Sequence, residues 1–158
     1  MGLFTNFPLL AALTAIVFAQ VVKIPIHLIA TKQLNTQLVF STGGMPSSHS
    51  AAVTALATSI GLENGFHSNL FAMSCVFAII VMFDATGVRR QAGEQAIVLN
   101  QLAKDFTHLV EEAKVWNKKE QYEKREELKE LLGHQPIEVF FGGVTGILIS
   151  VILFTTLY

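Results

Sequence analysis

Four places in the chain carry residue types that suit chemistry on a phosphate. They are Lys23, the run Pro46-Ser47-Ser48-His49, Asp84 with Arg89 and Arg90, and the run Gly133-His134-Gln135-Pro136-Ile137-Glu138. Phosphoryl transfer needs cations and backbone N–H groups around the phosphate oxygens. Lys23, Arg89, Arg90 and a helix start at Ser47–Ser48 supply both. The planar fork of arginine suits paired contacts to phosphate oxygens. The reaction also needs a nucleophile and an acid for the leaving oxygen, and His49 and His134 fit those roles. Glu138 follows His134 by four residues, which on a helix puts the two on one face. There a carboxylate can orient the imidazole and stabilise its charge.

The stretch Ser41–Ala51 has the make-up of a loop that delivers a helix. Gly43 and Gly44 free the backbone, Pro46 suits a helix edge, and Ser47 or Ser48 can cap the helix that Ala51–Ile60 continues. A helix start favours anions, phosphate above all, and His49 stands in its first turn. A plain capped loop with an ordinary polar histidine explains the same residues. A divalent ion held by His49, Asp84, His134 and Glu138 is the competing chemical reading. It is disfavoured because no tight ligand motif is present and the arginines repel a cation, so no metal or other cofactor is expected. His27, His67 and His108 are isolated and read as surface or interface residues. The single cysteine, Cys75, sits in an apolar run and reads as packing.

These groups must be positioned by apolar helices. The chain has 158 residues, 51% hydrophobic and 15% charged, with mean hydropathy +0.49. That composition points to one all-α integral membrane domain covering 1–158, a multi-pass protein of the cell membrane. The net charge of −1 gives no reason to expect a nucleic-acid partner. About four membrane segments are expected: Phe7–Ala30, the short Ser48–Leu62 with its start sunk below the interface, Asn69–Phe83 and Ile137–Tyr158. Lys23 lies within the first, where a lysine is costly and faces a polar cavity or partner; snorkelling to the interface is the alternative. Gly142 and Gly146 form a GxxxG pair that suits close helix packing and also offers a surface for a homo-oligomer.

The segment 91–133 differs in kind. It is polar, and Leu99, Leu102, Phe106 and Leu109 recur at helical spacing. It reads as an amphipathic helical insertion, two helices or one broken helix, on or just outside the membrane, with Gly133 as a helix C-terminal cap. Nine of the eleven Lys and Arg lie between Arg89 and Lys129, which places this loop in the cytoplasm and Glu63–Ser68 outside. Four spans then bring the serine–histidine run, Arg89-Arg90 and His134 to the cytoplasmic face.

Taken together, Gly44-Met45-Pro46-Ser47-Ser48-His49-Ser50-Ala51, Asp84-Ala85-Thr86-Gly87-Val88-Arg89-Arg90-Gln91-Ala92-Gly93 and Gly133-His134-Gln135-Pro136-Ile137-Glu138-Val139 resemble the divergent PAP2 family. That family is related to acid phosphatases and vanadium-dependent haloperoxidases. The resemblance covers essentially the whole chain. It implies a helical membrane fold with a metal-independent phosphatase-like pocket, His49 as the acid and His134 as the nucleophile with Glu138 behind it. The chain departs from the broader superfamily at several points. Ser48 replaces a glycine, and Glu138 replaces an aspartate. Ala30-Thr31 stand where Arg-Pro is usual after Lys23, and Glu127-Leu128 where Ser-Arg is usual before the nucleophile. Arg89 and Arg90 are the expected substitutes for those missing phosphate-binding arginines.

The leading expectation is a membrane phosphatase acting on a lipid phosphate or pyrophosphate through a phosphohistidine, its apolar tail resting among the membrane lipids. The alternative is a non-catalytic lipid-phosphate binding or transport protein using the same cationic pocket. A third reading gives every polar group a role in helix packing only.

Overall fold

The computed structural model describes residues 5–32, 43–114 and 133–157. Five helices follow one another: α1 (Phe7–Thr31), α2 (Ser48–Asn64), α3 (Asn69–Thr86), α4 (Val88–Lys114) and α5 (Pro136–Leu157). No strand occurs among the described residues. Polar side chains fix the helix starts. Asn6 Oδ1 accepts the amide of Leu9 at 3.0 Å, Ser47 Oγ that of Ser50 at 3.3 Å, and Ser68 Oγ that of Phe71 at 3.2 Å. Pro25 stands inside α1 without ending it.

The long apolar stretches become α1, α3 and α5, which are long and apolar enough to cross a membrane. Their outward side chains, among them Val17, Ile29, Met73, Phe83, Phe140 and Leu148, are exposed in the isolated chain and face lipid in a bilayer. The protein is therefore an all-α, multi-pass membrane bundle. The shorter α2 is its hub. It packs against α1, α3 and α5, whereas α1 and α3 do not touch. Small residues allow this. Ser48, Ser50, Ala51, Ala55, Ala57, Ser59 and Gly61 are all buried, and the backbones of three neighbours can come close. With neighbours on most sides, α2 has no need of an amphipathic pattern.

The direction of each helix follows from contacts at the two ends. Phe7 at the start of α1 meets Phe154 near the end of α5, with ring centroids 5.6 Å apart. Gly61, late in α2, abuts the Phe71 ring, early in α3. At the other end the amide of Ser47 donates to the carbonyl of Glu138 at 3.0 Å. So α2 and α5 run parallel, with α1 and α3 against them. Lys23 lies at the level of the α2 start, because its Nζ donates to the carbonyl of Gly43 at 3.0 Å. Eight residues of α1 continue beyond Lys23, about 12 Å at 1.5 Å per residue. The start of α2 is recessed by that amount from the end of α1, which explains why α2 is short.

The glycine pair on α5 is the contact with α2. A Cβ at Gly142 would strike the backbone of Ser47, and one at Gly146 the carbonyl of Ala51 and the hydroxyl of Thr54. Thr54 Oγ1 also lies 3.0 Å from the carbonyl of Gly143, where it can donate across the interface. Packing is thus the role of this pair, and its burial within one chain removes it as the expected surface for a second copy.

The insertion begins as one continuous helix as far as Lys114; residues 115–132, on which the reading of two helices or one broken helix depends, lie outside the described residues. Val98, Leu99, Leu102, Phe106 and Leu109 are exposed on α4. Gly133 has φ +92°, and a Cβ there would collide with the backbone of Arg90. It therefore seats the chain against the start of α4, which is more than a helix cap requires.

Candidate functional site

The four sequence stretches meet at the recessed start of α2. His49 and His134 face each other edge to face, with ring centroids 5.7 Å apart and planes at 73°. Three backbone and side-chain contacts hold them there. Ser47 caps α2 and places His49 in its first turn. The amide of His134 donates to the carbonyl of Ala85 at 2.9 Å, tying it to the last turn of α3. The Ser47–Glu138 backbone bond ties the start of α5 to the start of α2.

His134 is buried. Among the described residues neither of its ring nitrogens has a hydrogen-bond partner, and the same holds for His49 Nδ1. Burial pushes the His134 pKa down to about 4, and the neighbouring His49, Lys23 and Arg89 push it the same way. A neutral imidazole with unengaged nitrogens in a cationic surrounding is suited to meet an anion as a nucleophile. Lys23 is buried rather than snorkelled, with its ammonium on the Gly43 carbonyl. It faces the same centre, since its charge is felt at His134 and that of Glu138 is felt at Lys23.

Several expected roles change. Glu138 does not orient His134. Its carboxylate accepts the amide of Gln135 at 3.0 Å and caps α5. The reason is that α5 begins at Pro136, so His134 lies ahead of the helix and the four-residue spacing does not put the two on one face. The Ser47 amide is not a free donor either, because it is held by the Glu138 carbonyl, while the Ser47 hydroxyl oxygen accepts from the Ser50 amide and lies 3.1 Å from the Ser50 hydroxyl. Ser48 is buried one residue further on, inside the first turn of α2. Arg89 pairs with Asp84 across the α3–α4 junction and remains close enough to influence both histidines. Arg90 turns outward and pairs with Glu94 at 3.0 Å on the surface of α4. With Asp84 and Glu138 so engaged, no group of three or more His, Cys, Asp or Glu able to hold a metal ion gathers among the described residues.

Other contributors were not legible as chemistry. The Gly43 carbonyl receives Lys23, and the diglycine was the only signal for it. The Ala85 carbonyl receives His134, and a backbone acceptor leaves no mark in a sequence. Gln20 lies less than one turn before Lys23 on α1, and its Oε1 is buried without a partner among the described residues.

The sequence profile of the divergent PAP2 family matches residues 4–149. The chain is also 63% identical over 153 residues to the uncharacterized membrane protein YuiD of Bacillus subtilis (strain 168), a match spanning 97% of each chain. No solved structure matches.

Proposed function

The chain belongs to the divergent PAP2 family, and on that premise we propose that the His49–His134 pocket is the centre of a membrane phosphatase for a lipid phosphate or pyrophosphate. The observation that carries this is the histidine pair itself, set beside Lys23 and Arg89 at a helix start below the end of α1. A His134 ring nitrogen attacks phosphorus. The bond from phosphorus to the leaving oxygen breaks, the electron pair stays on that oxygen, and His49 in its protonated form gives it a proton. Water then attacks the phosphohistidine, passes a proton to His49 and releases orthophosphate, restoring both rings. Lys23, Arg89 and the first amides of α2 offset the charge on the transferring phosphate.

A second reading, binding or transport without turnover, is favoured by one observation. Arg89 and Arg90 are both engaged by carboxylates of their own chain. Phosphate release from polyprenyl pyrophosphate and from phosphatidate in mixed micelles, with wild type and His134→Ala, separates the two. The phosphatase reading expects release that disappears in His134→Ala. Binding of these lipids with no release from either would leave the transport reading standing.

A further inference from the structure

The Gly142–Gly146 pair is spent within the chain, but α4 carries another apolar surface. From Ala92, the residues Gln95, Leu99, Leu102, Phe106 and Leu109 follow at alternating steps of three and four. Val88 stands four before Ala92 and Ala113 four after Leu109, so the pattern runs almost the full length of the helix. Its period is about 3.5 residues, which suits one helix wound around another rather than a helix laid on a broad surface. Val88, Leu99, Leu102, Phe106 and Leu109 are each more than half exposed. The side of α4 buried within its own chain is a different one, marked by Gly93, Ala96 and Asn100.

α4 does not fold back on the bundle. Among the described helices it touches α3 alone. Helical hydrogen bonding continues on both sides of the junction: the Gly87 amide donates to the Phe83 carbonyl at 2.9 Å, and the Gln91 amide to the Gly87 carbonyl at 3.0 Å. α4 therefore leaves from the end of α3 and runs on for 27 residues, about 40 Å. Two copies in one bilayer stand the same way up. Their α4 helices start at the same membrane face and run in the same direction, so each seam residue meets its own counterpart across a two-fold axis.

We infer that this seam is an interface between two copies of the chain, which pair through their α4 helices as a parallel coiled coil. The occupant is argued from self-complementarity. The seam is apolar at every step except Gln95, which then faces its own counterpart. A carboxamide both donates and accepts, so the two satisfy each other, and a single polar seam residue fixes the register. The positions bordering the seam are Gln91, Val98 and Asp105 on one side and Ala96, Ala103 and Val110 on the other. In a parallel pair each residue of the first set lies near the residue five later in the other copy, so Asp105 meets Val110 and no like charges oppose. The same borders argue against a membrane surface as the occupant. A helix lying on anionic lipid is held there by lysine and arginine, and neither type occurs among these six.

The test uses the full chain in phospholipid vesicles, with Cys75→Ala so that one introduced thiol can be followed. Leu102→Cys lies on the seam; Ile97→Cys, exposed on another side of α4, controls for random collision. Mild oxidation is expected to link Leu102→Cys into a two-chain product at least tenfold faster than Ile97→Cys. Equal rates, or no product from Leu102→Cys, would overturn the inference. A fluorophore on Leu102→Cys is expected to resist quenching by lipids spin-labelled in their acyl chains; strong quenching would assign the seam to the bilayer instead. Single-molecule photobleaching of the dye-labelled chain with the natural α4 is expected to show two steps. The double variant Leu102→Glu, Leu109→Glu is expected to show one, with its helix content unchanged because both side chains are exposed in the single chain. One step without those substitutions, or two steps with them, would place no interface here. None of these readouts depends on what the histidine pocket binds.

Discussion

The amide of His134 donates to the carbonyl of Ala85 at 2.9 Å, so the last turn of α3 holds a residue that lies 49 positions further along the chain. His134 is thereby fixed through its backbone, and its ring is left free to face His49. Gly133 makes this possible by lying flat against Arg90 with φ +92°. Gly133→Ala is expected to lose about 1–3 kcal/mol of stability from backbone conformation alone, with the collision added. Thermal unfolding in detergent measures it, and an unchanged midpoint would show that the chain seats His134 in another way.

The α5 glycines give an internal comparison. A Cβ at Gly146 runs into Ala51 and Thr54, whereas one at Gly143 meets only Thr54 at 3.5 Å and Met82 at 3.9 Å. Gly146→Ala is expected to push α5 off α2 and to lower both stability and any activity of the pocket. Gly143→Ala is expected to stay within about 0.5 kcal/mol of wild type, as for substitutions that create no strain. Equal effects of the two, read from unfolding midpoints, would contradict the helix contact described.

The two arginines separate as well. Arg89 acts on both histidines, whereas Arg90 pairs with Glu94 on the surface of α4. Arg89→Ala is expected to lower kcat/KM for phosphate release by about tenfold or more, as when a charge-assisted phosphate contact is removed. Arg90→Ala is expected to remain close to wild type. Steady-state kinetics decides, and the reverse order would mean that Arg90 swings inward with substrate.

His49 as the acid predicts a dependence on the leaving group. His49→Ala is expected to slow release from an alkyl phosphate by about 10²–10⁴-fold. It should slow release from p-nitrophenyl phosphate far less, because that leaving oxygen needs no proton. Equal losses on both substrates would assign His49 to phosphate binding instead.

The depressed His134 pKa gives a pH signature. Its value of about 4, against the usual 6.5, keeps the ring neutral and nucleophilic well into acid. The acid limb of kcat/KM is expected near 4, and a limb near 6.5 would show a ring that is neither buried nor surrounded by charge. Stability has the matching sign. The unfolded chain takes up this proton before the folded chain does, so the His134 contribution is complete above about 6.5 and is lost progressively as pH falls toward about 4. Unfolding midpoints across that interval measure it, with His134→Gln as the reference.

Much of this was legible in the sequence because it depends on local rules. The serine cap, the helix limits set by glycine and proline, and the short second segment all follow from residue type and spacing. The convergence of Lys23, His49 and His134 was legible because each lies at or near a helix end on one side. The role of Glu138 was misread by applying helix spacing across Pro136, although proline at the first helical position followed two residues later by glutamate is a capping signature. The separate pairing of Arg89 with Asp84 and of Arg90 with Glu94 was not legible, since both arginines end about half exposed and only their nearby carboxylates tell them apart. The central place of α2 was hidden for the opposite reason, because a helix covered on most sides shows no periodicity to read.

The parallel pairing of α2 and α5 also sets an order of events during synthesis. α2 leaves the ribosome with Ser47, Ser50 and Thr54 on a side that α5 covers. Until residues 133–157 follow, that polar side is in the bilayer without its glycine partner, and His49 has no second histidine. The histidine pocket is therefore assembled last, when the final helix inserts.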